Sequence, residues 1–233
     1  MTGSVSRTEA RAADAALAVP VWDLPVRLVH WTLVLLIGFS WWSAENGAIE
    51  WHLWSGYGVL FLLLFRLMWG LFGSSTARFS TFVRGPGAVL AYLRDPGSWR
   101  AAGHTPLGAL SVVALLLLML VQVGLGLLLS DEDGIVSAPL NRFVSLDTAE
   151  TAHRWHEALF NALLALIALH VAAIVYYRLR GKRLVGAMIR GQAVLPAGTP
   201  PMAAATAGRL LLALVLAGAL TVWVAAGVPP LGT

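Results

Sequence analysis

The sequence predicts an all-α integral membrane protein with five transmembrane helices, and three observations carry that prediction. Of its 233 residues, 58% are hydrophobic and only 12% charged, against about 25% charged in an ordinary soluble domain. Mean hydropathy is +0.75. The apolar residues also fall in runs of the roughly 20 residues that cross a bilayer. This composition excludes a soluble enzyme and a disordered chain. The absence of cysteine excludes disulfides, thiolate metal sites, iron–sulfur clusters and covalently attached haem. The net charge of +4 reports orientation here rather than affinity for nucleic acid.

Residues 1–20 are Ala-rich but carry Arg7, Glu9, Arg11 and Asp14. They lack the apolar stretch of a signal peptide and read as a mobile tail. The first span runs from about Pro25 to Ser43; Asp23 can cap it, and Pro25 suits a first turn whose N–H groups have no partner. The second runs from about His52 to Phe72, the third from about Leu107 to Leu129, and the fourth from about His153 to Tyr177. Residues 193–207 are a linker marked by Pro196, Gly198, Pro200 and Pro201. The fifth span, about Leu210 to Val228, lies in the segment 208–233 and is stopped by Pro229 and Pro230. Between the second and third spans, Phe82 to Leu93 mixes apolar residues with Arg84 and fits a short helix lying on the membrane surface.

The loops alternate in charge. One side holds Arg7, Arg11, Arg27, Arg78, Arg84, Arg94, Arg100, the five basic residues from Arg178 to Arg190, and Arg209, which is 13 of the 16. The other holds Glu45, Glu50, Asp131, Glu132, Asp133, Asp147, Glu150 and Glu157, with only Arg142 and Arg154. Basic loops stay in the cytoplasm, so the N-terminus is expected inside and, after five spans, the C-terminus in the periplasm. Trp22, Trp41, Trp42, Trp51, Trp54 and Trp155 lie near span ends, where indoles anchor at the interface.

Five of the six histidines sit in spans or at their edges, where polar side chains are costly and suggest function. His52 and His156 lie towards the outer face. His30, one turn past Arg27, and His170 lie in the inner half. His156 and His170 are 14 residues apart, nearly four full turns and about 21 Å along one helix face. His153 falls roughly a quarter-turn off that line, so His156 is the better outer candidate. Arg66, 14 residues after His52, is the one basic residue deep in a span. Imidazole binds haem iron, and helix bundles hold haem between inward-facing side chains. Two histidine pairs stacked at two depths therefore suit two bis-histidine haems. With both axial positions filled, such centres favour electron transfer, and Arg66 could pair with a propionate. Each residue alone has a plainer reading. His52 could be an interfacial residue, Arg66 could snorkel, and His104 and His153 read as a loop residue and a surface ring. No carboxylate lies mid-span, which argues against a proton-coupled transporter, and no hydrolase triad or phosphate loop is visible.

Several motifs carry a family resemblance. They are Val21-Trp22-Asp23-Leu24-Pro25-Val26-Arg27-Leu28-Val29-His30-Trp31, then Arg66-Leu67-Met68-Trp69-Gly70-Leu71-Phe72-Gly73, then Gly103-His104-Thr105-Pro106-Leu107-Gly108. Trp155-His156-Glu157 and Leu169-His170-Val171-Ala172-Ala173 complete the set. Together they resemble the bacterial cytochrome b561 family, which includes the cytochrome b subunit of membrane-bound nickel–iron hydrogenases. The resemblance covers about residues 20 to 192. It implies a four-helix transmembrane haem-binding bundle over residues 21–192, with two haem b groups on His30, His52, His156 and His170. It also implies electron flow between an outer-face partner and quinone. The fifth C-terminal transmembrane helix departs from that pattern and reads as a packing or docking helix.

The leading functional expectation is a di-haem b-type cytochrome of the bacterial inner membrane. It would relay electrons between the quinone pool and a periplasmic cytochrome c or a dehydrogenase or hydrogenase subunit. The acidic outer loops could steer such a partner, and the inner loop Arg178 to Arg190 could meet anionic lipid. An electron-transfer subunit is favoured over a stand-alone enzyme. One alternative is a superoxide:ubiquinone oxidoreductase, against which stand the acids around Arg142 and Arg154. The other is a haem-free membrane anchor subunit.

Overall fold

The computed structural model describes residues 16–96, 99, 101–130 and 136–229. The acids Asp131, Glu132 and Asp133 and residues 1–15 of the expected tail lie outside them. Among the described residues, five helices are long and apolar enough to cross a membrane: α1 (Leu24–Glu45), α2 (Ile49–Phe72), α5 (Pro106–Gly126), α6 (Leu146–Leu179) and α8 (Ala207–Ala225). Two short helices, α3 (Phe79–Phe82) and α4 (Pro86–Arg94), connect α2 to α5. Helix α7 (Leu184–Arg190) follows α6. The five spans and the helical content make this a multi-pass all-α membrane protein.

Side-chain caps start four of the spans. Asp23 Oδ1 accepts from Val26 N (2.8 Å), Thr105 from Gly108 N (3.2 Å), Ser145 from Thr148 N (3.3 Å) and Thr206 from Arg209 N (3.4 Å). Each satisfies one of the N–H groups that a first turn leaves unpaired. Pro25 and Pro106 occupy first turns, where a missing donor is harmless. The expected surface helix is split: Gly85 and Pro86 break it into α3 and α4, and α4 is held down by buried Tyr92, whose hydroxyl meets Tyr177 on α6 at 2.9 Å.

Helix α2 lies at the centre, and its Val59, Leu63, Phe65 and Trp69 form the heart of the core. Helix α1 packs along one flank and α8 along another, while α6 packs along α5. The α8 seam is built from small residues: Ala213 and Ala217 have no exposed surface, and Gly218 faces Phe61. Small side chains let membrane helices approach closely. The opposite face of α8 shows Leu211, Val215 and Val222, exposed at 63%, 56% and 68%, which suits lipid.

Two stretches differ from the expected tail and linker. Ala16–Pro20 forms strand β1 and Gln192–Pro196 forms strand β2, paired antiparallel with Ala18 opposite Val194. Residues 16–20 are therefore not a free tail, and 193–196 are not free linker. The pairing satisfies backbone groups that short extended segments otherwise leave to water. Just before α8, Ala203 N donates to Ser75 Oγ (2.9 Å). At its far end Arg142 donates to the Gly227 carbonyl, so the fifth helix is tied at both ends.

Candidate functional site

Helix α6 packs closely on α5 but stands off from α1 and α2. The resulting slot holds four histidines. His52 on α2 and His156 on α6 face one another with ring centroids 6.1 Å apart, at the acidic end. His30 on α1 and His170 on α6 are 6.5 Å apart, at the end rich in arginine. Neither pair is joined by a hydrogen bond.

The acidic-end pair is held in a defined tautomer. His52 Nδ1 lies 2.8 Å from the Ser40 carbonyl oxygen, and His156 Nδ1 lies 2.9 Å from that of Gln122. A carbonyl only accepts, so each Nδ1 carries the proton and each Nε2 keeps its lone pair. Gln122 closes the arrangement by donating its Nε2 to the His156 carbonyl (2.9 Å). The basic-end pair is held differently. His30 Nδ1 is buried with no hydrogen-bond partner, and the described residues give His170 none.

A cavity of about 780 Å³ surrounds the acidic-end pair, walled by α1, α2, α5 and α6. Gly56, one turn past His52, lines it, and a Cβ there would meet nothing within 4 Å. Gly126 lies against the other side of His156, where a Cβ would come within 3.0 Å of the ring. The carboxylates Glu45 and Glu157 also line the cavity. Glu45 accepts from Trp41 Nε1 (3.2 Å), and Glu157 pairs with the half-exposed His153 at 3.3 Å.

Arg66 joins neither pair. Buried at 6% exposure, it donates to the Ala77 carbonyl (3.2 Å) and lies 5.1 Å from the Phe79 ring centroid. The expected propionate partner thus has partners within the protein, as a cation at membrane depth requires. Asp23, which accepts from Trp69 Nε1 (2.8 Å), supplies the opposite charge nearby. Gly70 makes the fit possible, since a Cβ there would collide with the Phe79 ring. His104, expected as a plain loop residue, packs into the same knot between Trp22 (4.6 Å) and Phe82 (4.4 Å).

The sequence model of the prokaryotic cytochrome b561 family matches residues 21–191. The chain belongs to that family. No curated protein matches it. As a cytochrome b561 family member it is a membrane b-type cytochrome of electron transfer, and the family implies haem b binding. The residues present fit such a group. An imidazole nitrogen bound to a first-row metal lies about 2 Å from it, so two rings flanking one atom need centroids roughly 6 Å apart. Both pairs have that spacing. The carbonyls behind His52 and His156 are the supports that metal-ligating imidazoles ordinarily have. The family motifs beginning at Val21 and Arg66 also build the knot around Asp23, Trp69 and Arg66. Gln122 was the missed residue. An amide alone in the apolar run Leu115 to Leu129 is the signal that marks it.

Proposed function

We propose that this cytochrome carries two haem b groups, one on His52 and His156 and one on His30 and His170, and relays electrons across the bilayer. Its partners in this reading are a periplasmic cytochrome c, or a dehydrogenase or hydrogenase subunit, at the acidic end, and quinone within the membrane. The observation that carries it is the pair of histidine couples, each spaced for one metal atom, at two depths of one slot. When bound, haem iron supplies one-electron chemistry, and two histidine ligands leave it no open position for oxygen.

The chain's own residues do the rest. Helix α6 carries His156 and His170 on one face, about 21 Å apart along its axis, so one rigid element sets the separation. The Ser40 and Gln122 carbonyls fix two rings with Nε2 towards the cavity. Leu53, Val59, Met119, Leu163 and Leu164 form the apolar part of the cavity wall around them. The arginine-rich loops favour a cytoplasmic basic end in the bacterial inner membrane. The acids at the other end favour a basic partner there by charge steering.

The test is a reduced-minus-oxidised spectrum with haem quantification on the purified protein and on His30→Ala, His52→Ala, His156→Ala and His170→Ala. Two b haems per chain, with each substitution perturbing one of them, is the expected result. A colourless, folded protein would sink this reading and favour the anchor subunit. Haem reduction by superoxide with no partner present would favour the oxidoreductase.

A further inference from the structure

We propose that the end of α6, with the short helices α4 and α7 attached to it, is a binding surface for anionic phospholipid, whose phosphates are held by Arg178, Arg180, Lys182 and Arg183. This surface is separate from the histidine slot and does not depend on what the slot holds.

The first observation is unpaired charge. All four side chains are exposed, and none forms an ion pair among the described residues. Aromatic rings orient two of them instead. The Arg180 guanidinium lies 5.3 Å from the Tyr176 ring centroid, and Lys182 Nζ lies 5.3 Å from that of Tyr177. A cation held against a ring face keeps its N–H groups for an acceptor, and phosphate oxygens are strong acceptors.

The second is the character of α7. At about 100° per residue, Leu184, Val185, Met188 and Ile189 fall on one face of it, with Arg183 and Arg190 opposite. Leu184, Val185 and Ile189 are exposed, whereas Ala187 is buried. A helix of this kind lies in the plane of the membrane interface, with its apolar face among acyl chains and its cations at headgroup level. Its far end is fastened to α1. Arg27 donates to the Ile189 carbonyl, and Trp31 Nε1 to that of Met188 (3.4 Å). Helix α7 thus links α6 to α1 and is held in place against the leaflet.

The third is α4, which repeats the pattern. Leu90 and Leu93 are exposed, and Arg94 ends the helix. Buried Tyr92 ties it to Tyr177 on α6. Two amphipathic helices therefore meet the same basic end of α6. Their open apolar faces decide the occupant. A soluble polyanion would leave those faces in water, whereas a phospholipid supplies acyl chains and phosphate together. An anionic leaflet strengthens the attraction about fivefold for each basic residue near its surface.

The chain has no cysteine, so a bimane fluorophore on Val185→Cys reports on the apolar face of α7 alone. The full-length protein is placed in nanodiscs of phosphatidylcholine and phosphatidylglycerol in equal amounts, with one lipid or the other brominated to quench the fluorophore. Brominated phosphatidylglycerol should quench severalfold more strongly than brominated phosphatidylcholine. The excess should vanish when Arg180→Gln, Lys182→Gln and Arg183→Gln are combined. A fluorophore on Val222→Cys, at an exposed position of α8, should show none. If the combined variant does not fold, salt gives the same reading on the unaltered cluster: about 1 M sodium chloride, where the Debye length is about 3 Å, should remove the excess. Equal quenching by the two lipids, the same excess at Val222→Cys, or an excess that survives the substitutions or the salt would overturn the assignment. Quenching by neither lipid would put α7 outside the membrane and overturn it too. Loss of the excess to inorganic phosphate at constant ionic strength would make this a free-phosphate site instead of a lipid surface.

Discussion

His104 is held neutral by its surroundings. Its ring lies between Trp22 and Phe82, with Nδ1 buried and unpartnered. Burial, and then the charge of Arg66, push its pKa down to about 3 from 6.5. The unfolded ring takes a proton below pH 6.5, and the folded one does so only near 3. Its contribution to stability is therefore complete above pH 6.5 and is lost as the pH falls towards 3. Thermal unfolding in detergent across that range should show the decline, and His104→Gln should flatten it by about one proton's worth of slope. An unchanged slope would mean that other groups dominate. The sequence showed a histidine in a loop but not its depth, because Trp22 and Phe82 reach it from distant segments. The spacing of His156 and His170 was legible because helix geometry turns 14 residues into a fixed rise and angle. The carbonyls of Ser40 and Gln122 were not, since a backbone oxygen leaves no mark in a sequence.

The spans themselves were legible from hydropathy, but their ends less so. The fourth was expected from about His153, yet α6 begins at Leu146. Hydropathy ends where Asp147, Glu150 and Glu157 begin, whereas helical hydrogen bonding continues back to the Ser145 cap. At 34 residues and about 1.5 Å each, α6 is about 51 Å long. It is longer than a hydrocarbon core of about 30 Å, and the charges of its first turns, Asp147, Glu150 and Arg154, suit the part that lies outside the hydrocarbon. The role of the fifth helix was open in the sequence because its seam residues, alanines and a glycine, are apolar like its lipid face. Ala217 has no exposed surface against α2. Ala217→Leu should overpack that seam and lower stability by about 1–3 kcal/mol, while Val222→Ala on the open face should change little. Thermal unfolding of the two variants in one detergent checks this, and equal melting points would remove the packing role from that seam.

The charge asymmetry of the loops makes an orientation testable for the molecule entire. The chain has no cysteine, so a single introduced thiol reports without background. Glu150→Cys should react with an impermeant maleimide in intact spheroplasts, and Arg183→Cys only after permeabilisation. The reverse pattern would invert the proposed topology. The clasp of Ala16–Pro20 on Gln192–Pro196 also bears on how the protein is made. At roughly 5–20 residues per second of synthesis, the first strand leaves the ribosome about ten seconds or more before its partner exists. Four spans must thread into the bilayer during that wait, and both strands must finish on the same side. A mis-inserted span would leave them on opposite sides, unable to meet. The clasp therefore reads the parity of insertion: it closes when an even number of spans separates the two strands across the bilayer, and a single missed span leaves it open.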